Sequence, residues 1–446
     1  MTDDRFGFVL SSANAQAAEA CALGMHGYCY WRVDAMSYLG KATELDDGFA
    51  MPRLAMGWIL HLARSHAYQA KIEALLAHAG EHCVLDARER AHRDALWAAS
   101  RGDAITAATI LECWLQDKPT DLFAHRIAQF ELFWCGRASW MRSLTEQAAP
   151  AWTADTPGFG MFLSCRAFAN EELGNYGAAE RFGRDAVAIN PADPWGAHAV
   201  AHVLIMQGRA AVGVQWLKSL SDNWNDANQI KHHLWWHFAL FLLEQEKTQQ
   251  ILELLRTKIR DPESPLVKAV PDATIDIQNL ASMLMRLELR GVRVDELWHD
   301  LAEICAKRVH DHANAFSNAH DMMVLAATEQ WDGAQALLLS MREFAASGSG
   351  SLRLSYRAAG IALCEAVLAH RRSDFKSVVE ALAPVRHDLA LIGGSHAQRD
   401  IFYQLLFDAA MNTKRSDLTE VLLRDVSRIG FELVKARTLY RGMPSA

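Results

Sequence analysis

The sequence has no useful run in which β-branched or aromatic residues alternate with polar ones, so sheet architectures are set aside. Its eight cysteines (21, 29, 83, 113, 135, 165, 305 and 364) contain no C-x-x-C pair, which excludes a zinc knuckle and points to reduced, mostly buried thiols. Prolines number only 11, and several stand where helices would begin: Pro119, Pro191, Pro194 and Pro384. The longest apolar run, Phe238 to Leu243, falls far short of the roughly 20 residues that span a bilayer. Positive charge is not in excess: 45 Lys and Arg against 53 Asp and Glu leave a net charge of −8. That balance, with a pI near 6.2, argues against nucleic acid or an anionic membrane as partner. Met1-Thr2-Asp3-Asp4 has no signal-type apolar region, and a cytoplasmic location is expected. A nucleophile elbow, a dinucleotide fingerprint and a kinase signature are all missing.

What is present is helical. Ala, Leu, Glu, Arg and Gln fill apolar patterns of period 3.6, and the expected fold is all-α. Helices are expected around Asn14–Met25, Trp31–Lys41 and Ala50–Ala79. From about residue 86 a repeat appears. Gly136 follows Gly102 by 34 residues, and Gly208 follows Gly174 by the same interval. A 34-residue period is that of tetratricopeptide helix–turn–helix units, which stack into a solenoid. Looser turns fall at Gln245-Glu246-Lys247, Gln330-Trp331-Asp332, Ser373-Asp374 and Arg415-Ser416-Asp417. Residues 1–85 read as a helical cap, 86–259 as repeats, and 260–446 as further repeats. The proline-bearing stretch 260–273 reads as a loop, and Ala345–Ser351 as a flexible connector.

The most informative stretch runs from Asp193 to Arg209. Asp193 suits an N-cap, Pro194 the first turn, and Gly208 the position just past the end. Ala197, Val200, Ala201 and Leu204 form a small apolar face for a partner helix. Trp195, His198, His202, Ile205 and Met206 form a second, rotated stripe. His198 and His202 stand one turn apart.

Several phrases resemble the tetratricopeptide repeat protein 38 family. They are His198-Ala-Val-Ala-His202 with Met206-Gln-Gly-Arg209, Leu234-Trp-Trp-His237, Asn318-Ala-His320-Asp321, and Gly393-Gly-Ser-His-Ala-Gln-Arg-Asp400. The resemblance runs in order from about residue 90 to 425. It implies a right-handed superhelical α-solenoid of degenerate repeats; whether it closes around a central pocket stays open. It implies no settled chemistry.

In such repeats the first helix of each pair lines the concave surface. Carrying the register of the 194–209 helix to its neighbours gathers His198, His202, His233, Trp195, Trp236, Glu171, Glu172 and Glu244, with His237 at the edge. His198, His202, Glu172 and His237 are the acid–base candidates in this reading. Trp195, Trp236, His233, Glu171, Asn318, His320, Asp321, His396, Arg399 and Asp400 are the ligand-binding candidates. Gly393-Gly394-Ser395 before a helix, with Arg399, suits an anion. A transition metal on His198 and His202, with Glu172 or His233 as third ligand, is the less favoured use, because Ala199 and Val200 replace the Glu of H-E-x-x-H. The expected function is binding of a small polar or carboxylate-bearing molecule, with His/Glu acid–base chemistry as an extension. The alternative is a non-catalytic scaffold for a peptide or protein.

Overall fold

The computed structural model describes residues 3–429 and 437–440. The fold is an all-α solenoid of helix pairs, and among the described residues β-structure is confined to two isolated bridges, Asp3–Val9 and Arg32–Ala227. The helices are α1 (Ala15–Cys29), α2 (Ala35–Leu45), α3 (Ala50–Leu62), α4 (Gln69–Glu81), α5 (Ala87–Ser100), α6 (Ala104–Asp117), α7 (Leu122–Trp134) and α8 (Ala138–Ala148). There follow α9 (Phe159–Glu171), α10 (Tyr176–Ile189), α11 (Pro194–Met206), α12 (Ala210–Leu220), α13 (Ile230–Glu244), α14 (Thr248–Leu254), α15 (Pro265–Ala269) and α16 (Thr274–Glu288). The last are α17 (Asp295–Ala306), α18 (Ala315–Ala327), α19 (Trp331–Ser347), α20 (Leu352–Ser355), α21 (Ile361–Arg371), α22 (Phe375–Leu382), α23 (His396–Asn412) and α24 (Ser416–Ile429). No helix is long and apolar enough to cross a membrane among the described residues.

Each pair turns on one residue in the left-handed region. Gly102, Gly136, Gly174 and Gly208 have φ of +78°, +70°, +74° and +69°. Glu246, Glu329, Ser373 and Lys414 take the same place in later pairs, with φ between +56° and +58°. The turn geometry therefore survives where the glycine does not, and Gln245-Glu246-Lys247 is a repeat turn in full register. Arg64, with φ of +51°, interrupts the single helix expected over 50–79 and divides it into α3 and α4. Trp31 stands outside α2, in a tight turn with φ of +58°.

The chain forms two compact units: residues 1–200, 222–230 and 349–352, and residues 201–221, 231–348 and 353–446. The division falls within α11. In the first unit α5 packs on α6, α7 on α8 and α9 on α10. Its second helices keep an exposed face, whereas α7 is buried from Leu122 to Phe133 on all sides. A buried charge knot ties the N-terminal segment to this stack. Arg88 grips Asp121 through Nε and Nη2, both at 2.7 Å, and pairs with Asp4 at 2.7 Å. Asp121 also caps α7 and accepts from Trp114 Nε1. Burial alone would raise the Asp121 pKa, but Arg88 outweighs it and the carboxyl lies below its usual range.

The segment expected to be a flexible connector is instead pinned. Leu352 N donates to Gly102 O at 2.9 Å, and Ser349 Oγ to Arg101 O at 3.2 Å. A Cβ on Gly350 (φ +72°) would lie 2.4 Å from Gly102 O, so only glycine allows this approach.

In the second unit α16, α17, α19 and α21 pack around α18, and α22, α23 and α24 follow in sequence. Here α18 is buried from Ala315 to Ala326, again on all sides. Glu244 accepts from Arg437 at 3.0 Å and from Thr438 N at 2.8 Å, while Arg437 also pairs with Asp400 at 3.0 Å.

Two outcomes follow from this architecture. Glu246→Gly relieves left-handed strain of about 1–2 kcal/mol and gives back roughly 0.5–1 kcal/mol of chain entropy. The substitution is therefore expected to raise the urea midpoint slightly, whereas Gly174→Ala is expected to lower it. Second, burial holds His92 and His125 down at about 3. The unfolded chain binds protons near pH 6.5 that these folded rings refuse, so stability falls as pH drops from about 6.5 toward 3. Each ring steepens that fall by up to about 1.4 kcal/mol per pH unit. A His92→Leu variant is expected to show a flatter dependence of its urea midpoint on pH over that window.

Candidate functional site

The cap and the apolar face of α11 form as its sequence dictates. Asp193 Oδ1 accepts from Trp195 N at 2.9 Å and Gly196 N at 3.3 Å, while its other oxygen accepts from Ser164 Oγ. Val200 lies so close over Gly183 that a Cβ there would come within 2.6 Å of Val200 Cγ2. The second stripe is equally buried: Trp195 and His198 are 3% exposed and His202 0%. None of these side chains lies on an open face.

Within the first unit, Trp195 sits in an aromatic chamber. Its ring centroid is 4.6 Å from Phe168, 4.6 Å from His198, 5.2 Å from Phe130 and 5.5 Å from Trp31. The Arg126 guanidinium stands among the same rings, 4.8 Å from the Phe130 centroid, 5.0 Å from Trp195 and 5.6 Å from Trp31. Arg126 is 0% exposed, and none of its Nε, Nη1 and Nη2 atoms donates to an oxygen acceptor; its hydrogen bond goes to the Cys165 thiol. The indole N–H groups of Trp31 and Trp195 are likewise buried without an acceptor. Burial pushes the neighbouring Cys165 thiol up to about 11, so it stays neutral and does not balance the charge. Glu171 and Glu172 end α9, both buried; with burial as the larger cause, they push the Tyr176 phenol up.

Sequence reasoning missed Arg126, although a signal was there. Arg126 stands four residues after Leu122 at the start of α7, as His198 stands four after Pro194 at the start of α11. Carrying the stripe two pairs upstream would have found it.

The second unit gathers histidines. The His202 and His237 ring centroids are 4.5 Å apart, and His233 and His237 are 4.7 Å apart. His202, His233 and His237 each offer a ring nitrogen, all within 4.8 Å of one another. His233 Nδ1 donates to Asn279 Oδ1 at 2.7 Å, and the Trp236 indole donates to Ser282 Oγ at 3.0 Å. Burial holds His233 and His396 at about 3, and both rings are neutral at physiological pH.

The remaining candidates are engaged in local structure. Asn318 donates to Asp311 O at 2.8 Å and accepts from the Tyr356 hydroxyl at 2.7 Å. His320 Nδ1 donates to Phe316 O at 2.8 Å. Asp321 lies 3.6 Å from Arg308, and burial pushes its carboxyl up to about 6. Ser395 and Gln398 form a capping box that takes up the helix-start N–H groups, and Arg399 donates to Gly394 O. Asp400 belongs to the Arg437 network. The Gly393–Asp400 phrase thus holds its own turn together.

No family model matches the chain. Among solved structures it is similar to a human IFIT1 dimer with PPP-AAAA, at 11% identity over 96% of this chain and 94% of that one, with a TM-score of 0.44. It is also similar to the APC/C hetero-tetramer Cut9-Hcn1, at 12% identity over 96% and 83% and a TM-score of 0.36. The yeast Tom70 structure gives 10% identity over 94% and 85%, again with a TM-score of 0.36. At these values the likenesses carry no statement about family or ligands.

Proposed function

We propose that this protein is a helical-repeat binding protein that holds the anionic group of its ligand against Arg126, inside the aromatic chamber of the first unit. The single observation that carries this reading is the buried guanidinium that meets aromatic rings and a neutral thiol but no oxygen acceptor. Stranding a buried charge by removing its partner costs roughly 3–5 kcal/mol, whereas a desolvated cation–π contact returns about 2 kcal/mol. The rings therefore leave a deficit that a carboxylate or another oxyanion would remove by accepting from the fork of Arg126. The unused N–H groups of Trp31 and Trp195 add donors that need no charge. Left-handed strain at Trp31 (φ +58°) fits a residue held for a site.

The anionic group has two sources, a small carboxylated molecule or an acidic peptide of a protein partner. The net charge of −8 bears on the surface and does not speak to a cation enclosed among rings. The reading is one of binding, and no acid–base step is assigned to His198, His202, Glu172 or His237.

The test is thermal and calorimetric. Arg126→Met removes the stranded charge at similar volume and is expected to raise the ligand-free melting temperature, equivalent to about 1–3 kcal/mol. Wild type is expected to be stabilised by dicarboxylates, or by acidic peptides if the ligand is a protein segment, and the variant by neither. A variant that melts lower than wild type and responds equally to these anions would end the reading.

A further inference from the structure

We propose that His202, His233 and His237 form a transition-metal site in the second unit. The site differs from the Arg126 chamber in its residues and its ligand, and it stands whether or not that reading holds. His233 and His237 are four residues apart on α13, so one turn of helix presents both imidazoles on one face. His202 arrives from α11, and the three ring nitrogens lie within 4.8 Å of one another. The rings are not stacked in parallel: the His202 and His233 planes stand at 49° and 78° to that of His237. All three side chains are at most 3% exposed.

The second observation is the hydrogen bond from His233 Nδ1–H to Asn279 Oδ1 at 2.7 Å. That bond fixes the tautomer in which Nε2 carries the lone pair, the arrangement in which ligating histidines are usually held by an outer partner. Asn279 is itself only 1% exposed and sits on α16. Three imidazole nitrogens suit Zn²⁺, Fe²⁺, Ni²⁺ or Cu²⁺ and not Mg²⁺ or Ca²⁺, whose ligands are oxygens.

Neither helix supplies a glutamate between its histidines, since Leu234-Trp235-Trp236 fill the interval on α13. The site therefore lacks the general base of H-E-x-x-H enzymes. A Lewis-acid centre that anchors a ligand atom is the role the residues can fill.

Cobalt(II) is the direct probe, because its visible spectrum reports nitrogen ligation and coordination number. The full chain, freed of metal by chelation, would be titrated with Co²⁺ and then Zn²⁺, in a His82→Ala background. That substitution removes a metal-attracting pair on the surface, where His78 and His82 ring centroids are 4.8 Å apart. The expected result is one equivalent of Co²⁺ with a low-coordinate spectrum, displaced by Zn²⁺. His237→Ala is expected to abolish the spectrum, and Asn279→Leu to weaken affinity by about 10- to 100-fold. Arg126→Met is expected to leave the spectrum and stoichiometry intact, which separates this site from the anion reading. Should His237→Ala fail to fold, the wild-type spectrum decides alone: no bound Co²⁺, or only the six-coordinate spectrum of the aqueous ion, overturns the site.

Discussion

A single backbone conformation carries this architecture: the left-handed residue that closes the first helix of every pair. It reverses the chain within about three residues, so the second helix can lie back against the first. Burial follows the pairing. The second helices keep an exposed face, while α7 and α18 are enclosed along almost their whole length. Glycine bears the conformation at Gly102, Gly136, Gly174 and Gly208; Glu246, Glu329, Ser373 and Lys414 bear it under strain. Such strain persists only where surrounding contacts over-determine the backbone.

Enclosure of the first helices makes every polar side chain on them an energetic question. Most are answered locally. Arg88 is held between two aspartates, Arg437 between Glu244 and Asp400, and His320 by a carbonyl of its own helix. Arg126 stands among rings beside a thiol, and the histidine group brings three imidazoles together. A cation surrounded by rings and a cluster of imidazoles have different chemical appetites, one for oxyanions and one for a soft or borderline metal ion.

Much of this was readable in the sequence, for identifiable reasons. Asp193, Pro194 and Gly208 mark the ends of α11 because caps are local chemistry, and Val200 finds Gly183 because helix packing follows the 3.6 period. Glu246 concealed a repeat turn, since nothing in a glutamate announces a positive φ. The break at Arg64 was hidden in the same way. Site residues were harder. His202, His233 and His237 stood out by spacing, but the outer partner Asn279 comes from a helix some 40 residues on, which no local pattern indicates. Arg126 was passed over because an arginine in a helix is ordinarily a surface residue; only tertiary burial makes it exceptional. Arg399 and the Gly393–Ser395 turn looked like an anion cradle, yet their donors are spent on each other.

The strap at Ser349–Leu352 bears on the order in which the protein can be made. It belongs to the first unit by contact, though it lies some 150 residues beyond Val200 in the chain. Neither unit is a contiguous stretch of sequence. A nascent chain must therefore hold the Gly102 turn without its partner until Leu352 emerges. At about 5–20 residues per second that interval is on the order of ten to fifty seconds. Expression of the first 200 residues alone would yield a fragment whose Gly102 carbonyl has lost the amide it was shaped to receive.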